Sequence, residues 1–582
     1  MTTTTTTTTS LLLVEQGLAA GVLVVVSLGW AWAARRRELY SSSSLSSSSL
    51  SLSLSSSRSD SDDDDDDDDD DVFGSIGKGK RFDDDSSGQK QQPAVGVVLP
   101  VRGASGRTTD NWRTQLNTTH DGDVSFVFVV EKDTDEAKRE AERLALEVLR
   151  RDDDEEEEKK RAGRARRRSA RVVVSGSAEG CSQKIAQQLR GVEELAAAAA
   201  GKKRVRVERD VDEDETKKDE RGVGSASVEK YRRRSRRSRT NTKSPERNGR
   251  VKYVLFLDDD VMLYPSTIGS LVRAMEKDEK ETGGNALLAT GYPLDFVGGG
   301  VDGGESSSSC FANYMTMVYH LVLLIPFSHG KYTKNVWGGC MLFRLDDFQA
   351  NACKVKEAYE NGGYSDDLIV AAAANREKRS ILCPGDALFP LPLDPKQTVG
   401  HFVNYFHRQI FVNDTYFDRH MKCINHGMLL AMFLSSLCLT CGTVSSAIDV
   451  ALWVRSLATS SSQKSTTRTP TLAFAVFFAH FLAVTRAKKM YASCVSLCER
   501  TADADAAAAA AASRGRQTLP PDAGRVARAG FNRTNWFKVW LALCIVYAAA
   551  PILCAHVVLL SNDVTWGGIR YRKRRGKVSR VV

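Results

Sequence analysis

The chain offers its chemistry in three acidic groups set far apart along its length. The first is Tyr253-Val254-Leu255-Phe256-Leu257-Asp258-Asp259-Asp260, an apolar run that ends abruptly in three carboxylates. Residues two apart in extended chain point the same way, so Asp258 and Asp260 can address one ligand together. Hard carboxylate oxygens suit Mg²⁺ or Mn²⁺, and such an ion would neutralise a diphosphate leaving group. A solvated acidic loop is the plain alternative. Position at the carboxyl end of a buried strand, where α/β sheets bind ligands, favours the metal–diphosphate reading. The second group, Glu131-Lys132-Asp133-Thr134-Asp135, also closes an apolar run and offers acceptors for the hydroxyls and ring N–H of a nucleoside; an ordinary polar turn explains it equally well. The third, Gly362-Gly363-Tyr364-Ser365-Asp366-Asp367-Leu368, precedes a helical pattern. Ser365 or Asp366 can cap that helix, while a carboxylate there can take the proton of an attacking hydroxyl. Asp367 is the candidate base, with Asp366 beside it. Lys184, at a helix start, can pair with phosphate or lie exposed, and Trp337-Gly338-Gly339-Cys340 permits close approach to the backbone.

Positioning these groups requires a sheet covered on both faces, because the runs that precede them are continuously apolar. Ala94–Val101, Val124–Val130, Arg171–Val174 and Tyr253–Leu257 read as strands. Ile185, Leu189 and Val192 at helical spacing, and Ser266–Met275 after Pro265, read as helices. The alternation predicts an α/β domain over residues 93–425. Residues 201–250 are charged and without periodicity, which predicts a disordered insertion at the surface. The 401–420 stretch carries Phe402, Tyr405, Phe406, Phe411 and Tyr416 beside Arg408 and Arg419, and fits either a helix on a membrane surface or one packed on the core.

Much of the chain cannot build a core. Residues 1–10, with a threonine run, and the Ser- and Asp-rich 35–92 are low-complexity and offer too little apolar surface to offset ordering. Leu18–Ala34, with Leu11–Val14 ahead of it, reaches the ~20 residues a helix needs to cross the bilayer, so 11–34 reads as a transmembrane anchor. Arg35-Arg36-Arg37 then predicts that the chain beyond the anchor stays cytosolic. A C-terminal membrane region, 426–560, has spans expected at 428–448, 472–484 and 539–560, ahead of a basic tail, 561–582. Three spans place that tail opposite the globular domain, against the positive-inside tendency, whereas two return it. The net charge of +8 comes from blocks of both signs. The basic run Arg232–Arg239 lacks interleaved aromatics, so no nucleic-acid partner is expected. Several of the 12 cysteines lie in apolar stretches, so free thiols are expected rather than a zinc site.

In order and spacing these motifs resemble those of family 2-type glycosyltransferases with the GT-A (nucleotide-diphospho-sugar transferase) fold, and more narrowly ceramide glucosyltransferases (family 21) of the plant and algal branch. Glu131 to Asp135 matches the family's first acidic motif, Lys184-Ile185 its Lys-Ile stretch, Asp258 to Asp260 the second, and Asp366-Asp367 the third. Gly291-Tyr292-Pro293 and Trp337 to Cys340 with Arg344 resemble the segments between. The last signature, Gln/Arg-x-x-Arg-Trp, departs: His407-Arg408-Gln409-Ile410-Phe411-Val412 keeps Arg408 but has Phe411 and Val412 for Arg-Trp. The insertion 201–250 is also foreign to the family.

The resemblance implies transfer of glucose from UDP-glucose to ceramide or a related membrane lipid, with inversion, in a Golgi or endoplasmic reticulum membrane with the catalytic domain cytosolic. It implies Mg²⁺ or Mn²⁺ on Asp258 and Asp260. It assigns nucleotide-sugar contacts to Glu131, Asp135, Lys184, Asp258, Arg408 and Gln409, and the base to Asp367. Two alternatives stand beside it: a processive polysaccharide synthase, which normally has more spans and an intact last motif, and an inactive membrane adaptor whose charged runs recruit partners.

Overall fold

The computed structural model describes residues 2–53, 92–160, 167–199, 250–297, 310–328, 330–459, 470–512 and 523–581. The aspartate run Asp62–Asp71, Arg232–Arg239 and nearly all of the 201–250 insertion lie outside the described residues.

The expected α/β fold is present. Strands β1 (Val95–Pro100), β2 (Val124–Val130), β3 (Arg168–Val174) and β4 (Tyr253–Leu257) coincide with the apolar runs to within a few residues. They pair in parallel in the order β3-β2-β1-β4. The sheet continues through β8 (Cys340–Arg344), β5 (Ala286–Thr290), β9 (Ser380–Leu382) and β7 (Tyr332–Thr333), with β8 antiparallel to both β4 and β5. A separate parallel pair, β6 (Tyr292–Phe296) and β10 (Leu388–Pro392), stands beside it.

Both sheet faces are covered. In β1, Val97 and Leu99 join one buried cluster and Val98 the other, the period-2 alternation of a strand. Val98 faces helix α4 (Gln183–Ala199) so closely that a Cβ on Gly191 would lie 2.3 Å from its Cγ1. The opposite face packs α2 (Gly106–Leu116), α3 (Glu136–Lys160) and α5 (Thr267–Thr282), with Trp112 against Phe128 at 5.6 Å between ring centroids. Helices α6 (Phe311–Leu323), α7 (Leu345–Gln349), α8 (Val355–Glu360), α9 (Asp366–Arg376) and α10 (Val399–Asn413) complete the domain. Helix α10 buries Phe402, Phe406, Ile410 and Phe411, which decides between the two readings of that stretch in favour of core packing.

Among the described residues four helices are long and apolar enough to cross a membrane: Leu13–Leu39, Arg419–Thr459, Thr471–Ala510 and Trp536–Leu559. They belong to α1 (Thr2–Ser53), α11 (Arg419–Thr459), α12 (Thr471–Ala512) and α14 (Trp536–Leu559); a short α13 (Ala523–Arg533) precedes the last. The short apolar segment 472–484 is thus the start of a much longer helix, because Ala-rich sequence continues it. Likewise α1 runs on to Ser53, into the segment expected to be disordered. Helices α1 and α11 touch where a Cβ on Gly442 would lie 2.3 Å from that of Ala19. Gln16 Nε2 donates to Asp449 Oδ2 there at 2.5 Å. All 12 cysteines are free, including the Cys438-Leu439-Thr440-Cys441 pair on α11.

The basic tail is not a tail. Residues Asp563–Trp566 (β11), Ile569–Arg574 (β12) and Lys577–Arg580 (β13) form an antiparallel meander docked on the globular domain. Tyr416 N donates to Gly576 O and Val578 N to Gly362 O.

Candidate active site

The register of the parallel half brings two acidic groups to one edge. Pro100 pairs with Val129 and Val98 with Phe256, so β2 and β4 flank β1 and release Glu131 and Asp258 at the same, carboxyl-terminal side. Arg102, which comes after β1, spans the gap: Nη1 lies 3.4 Å from Glu131 Oε2, and its backbone N–H reaches the Asp259 carboxyl. Gln115 Nε2 donates to the carbonyls of Asp258 (2.8 Å) and Val261 (2.9 Å), fixing the turn that carries the acidic triplet.

Lys184 joins the Asp258 group to the Asp366 group. Its Nζ lies 2.7 Å from Asp258 Oδ1, 3.0 Å from Asp366 Oδ2 and 3.1 Å from Gly338 O. Burial alone would drive off its proton, but the two carboxylates outweigh that and hold the ammonium charged. Gln188, one turn along α4, donates Nε2 to the same Asp366 Oδ2 at 2.7 Å. Gly338 is required here, since a Cβ would sit 2.7 Å from Asp366 Oδ1. Asp367 Oδ1 accepts from Leu368 N (2.7 Å) and the Ser365 hydroxyl at the start of α9. Burial, then the neighbouring Asp366 charge, raise the Asp367 pKa. Asp258 is pushed up to about 7, by burial first, against the pull of Lys184 and with the push of Asp260 and Asp366. Asp259 rises to about 8 through burial and its two neighbours.

A cavity of about 280 Å³ unites Lys184, Asp258, Asp366, Asp367, Arg408 and Gln409. Its far wall is aromatic, with Tyr292, Tyr319, Trp337, Tyr405 and Trp566, and Met428 of α11 closes it on the side of the apolar helices. Glu131, Asp135 and Asp260 do not line it. Asp260 stands exposed at the neighbouring turn. Glu131 is buried beneath Arg580 Nη1 (2.8 Å), Arg102 and Ser177. Asp135 Oδ1 accepts from Gly103 N (2.9 Å) and Ala137 N (3.0 Å), capping α3.

Two features escape sequence reasoning. Asp295 Oδ2, His320 and Tyr405 Oη form a chain at 2.6 Å per link through the two imidazole nitrogens, from three separate elements, and His320 and Tyr405 face the cavity. The C-terminal meander supplies the other: Arg408 lies between Tyr405 (5.4 Å) and Trp566 (5.1 Å), Tyr571 Oη accepts from Gln183 N (3.0 Å), and Arg580 covers Glu131. Its signal was the alternation Ile569, Tyr571, Lys573 buried against Arg570, Arg572, Arg574 exposed.

The donor chemistry of the acidic turn fits a hard divalent ion. Neither Asp259 nor Asp260 has an ion-pair partner among the described residues, and Asp258 has only Lys184, so the carboxylates of Asp259 and Asp260 remain available as oxygen donors. No cluster of three His, Cys, Asp or Glu side chains among the described residues closes a site alone, so an ion held there would need ligand or water oxygens as well.

No protein-family profile and no curated relative matches this sequence. Among solved structures, Staphylococcus aureus TarS residues 1–349 shares 10% identity over 83% of this chain and 98% of that one, with a TM-score of 0.24. The same protein in complex with UDP-GlcNAc gives 8% over 84% and 99%, at 0.25. The Pyrobaculum calidifontis mannosyltransferase PcManGT, in complex with GDP-Man and Mn²⁺, gives 11% over 80% and 88%, at 0.26. The strand order and pairing above, not these superpositions, carry the fold.

Proposed function

We propose that this protein is a membrane-bound inverting glycosyltransferase that moves glucose from UDP-glucose to the primary hydroxyl of ceramide or a related lipid. The observation that carries the reading is the meeting of Asp258 and Asp366 on Lys184, with Asp367 lining the same cavity, which is walled by aromatic side chains and closed by a long apolar helix. A lipid acceptor accounts for that wall: its headgroup enters from the apolar side while the donor lies along the sheet edge.

Asp367 takes the acceptor proton. Its Oδ1 is held by Ser365 and Leu368, which leaves Oδ2 for the hydroxyl, and its raised pKa makes it a stronger base than a free aspartate. Lys184 and Arg408 face the departing diphosphate as cations, with Gln409 beside them. Glu131 and Asp135 shape the nucleoside end through Arg102 and Gly103, which they hold. Mg²⁺ or Mn²⁺ on Asp258 and Asp260 would supply charge neutralisation of the leaving group.

Membranes containing the wild type or Asp367→Asn, given radiolabelled UDP-glucose and ceramide, test this. Lipid labelling is expected to fall about 10²- to 10⁴-fold in the variant. Equal labelling in both removes Asp367 from the mechanism. A water-insoluble polymer in place of glycolipid favours the polysaccharide synthase, and no transfer from any nucleotide sugar favours an adaptor.

A further inference from the structure

Helix α14 has the length and hydropathy of a membrane span, yet both of its flanks contact the globular domain. At its start, Asn535 N donates to Tyr314 Oη at 3.2 Å, and the preceding α13 packs Gly530 against Phe296 of β6. After its end, Lys573 pairs with Asp414, Tyr416 N meets Gly576 O, and Arg580 pairs with Glu131. A helix crossing ~30 Å of hydrocarbon cannot return both flanks to the same globular domain. Along its length, Val539, Ala542, Leu543, Val546, Ala550, Cys554 and Val557 face protein. The exposed Phe537, Leu541, Ile545, Ile552 and Leu559 fall within one stripe on the other side. That stripe ends at Leu559 and Leu560, 76% and 75% exposed. Beyond them an open cleft of about 780 Å³ is lined by Leu560, Asn562, Arg572, Arg574 and Arg575. Arg572 pairs with Asp563, whereas Arg574 and Arg575, both exposed, have no ion-pair partner among the described residues.

We propose that α14 lies along the membrane surface on the side of the globular domain instead of crossing, and that its apolar end with the Arg574–Arg575 turn docks on anionic phospholipid headgroups. An apolar stripe that enters the acyl boundary beside unpaired guanidinium groups is the chemistry of an anionic lipid surface. Continuity supports it, since α14 packs against α11, itself of spanning length. The placement also returns the basic meander to the side of Arg35–Arg37, removing the conflict between span count and charge distribution.

The full-length protein tests this without reference to its catalysis. In sealed vesicles, a C-terminal epitope tag is expected to be digested together with the globular domain, while a tag inserted after Thr459 stays protected; a C-terminal tag protected with the Thr459 tag overturns the proposal. The chain is then reconstituted in nanodiscs of phosphatidylcholine alone or with phosphatidylserine, and amide exchange is measured over residues 559–577. Phosphatidylserine is expected to raise protection by up to roughly thirtyfold, at about fivefold per arginine, and Arg574→Gln with Arg575→Gln to abolish the difference. Equal protection in both lipids, or the same protection from inorganic phosphate in neutral discs, refutes docking on an anionic surface.

Discussion

Replacing Lys184 with methionine gives the sharpest test of how the acidic groups are held together. The substitution keeps the length and apolar stem of the side chain and removes one charge. In the wild type that charge lies 2.7 Å from Asp258 and 3.0 Å from Asp366, on side chains only 30% and 8% exposed. Removing one partner of a buried ion pair costs about 3–5 kcal/mol, because the remaining charge is left without compensation. Here two carboxylates are left facing one another, but they have an escape: one can bind a proton. Asp258 already titrates near 7, against 3.8 for a free aspartate, so the folded state holds the extra proton between those values and stability falls as pH rises through them. Without Lys184 its pKa climbs further. The loss of stability in Lys184→Met is therefore expected to be small at pH 5 and to grow towards pH 8, reaching the 3–5 kcal/mol scale only where both carboxylates are charged. Thermal unfolding of the detergent-solubilised full-length protein, monitored by intrinsic fluorescence across that range, reads this directly. A pH-independent deficit, or none, would show that Lys184 does not neutralise this pair. Lys184→Arg, which keeps the charge, is expected to show no growth of the deficit with pH.

Single contacts elsewhere carry consequences of their own. Trp566→Ala removes one face of the Arg408 stack and is expected to raise the donor KM roughly two- to thirtyfold with a smaller change in kcat, while Trp566→Phe recovers most of it. Arg580→Ala leaves Glu131 buried with only the more exposed Arg102 as a cation and is expected to destabilise by about 3 kcal/mol, measured by denaturant midpoint. Gly191→Ala forces a Cβ to within 2.3 Å of Val98 and is expected to cost about 1–3 kcal/mol in the same measurement. Chelation of divalent cations by EDTA is expected to weaken UDP binding, measured by calorimetry, and the Asp260→Asn protein is expected to lose that sensitivity.

The strands that release the acidic groups were legible because each is buried on both faces. A run such as Tyr253–Leu257 has to be apolar throughout, and the carboxylates that follow it stand out against it. The four helices long and apolar enough to cross a membrane were legible for a similar reason, since lipid and protein both demand apolar side chains. Length, however, could not say which of them crosses. Trp536–Leu559 has the composition of a span, and only the tertiary structure shows that both of its flanks meet the globular domain. The Asp295–His320–Tyr405 chain was invisible, because its members come from three elements and no local pattern marks them.

The sequence by itself determined the strands, their acidic ends and the apolar helices, since burial periodicity and an abrupt change from apolar to charged residues are local properties. Tertiary structure alone decided which charges meet. Lys184 reads as a phosphate contact or an exposed lysine, with no carboxylate partner in view, until α4 places it between Asp258 and Asp366. Arg570–Arg574 reads as a basic tail until docking buries alternate side chains against the domain. The physical reason is the same in both cases: an ion pair or a buried face is a property of two segments at once, and nothing in either segment alone records its partner.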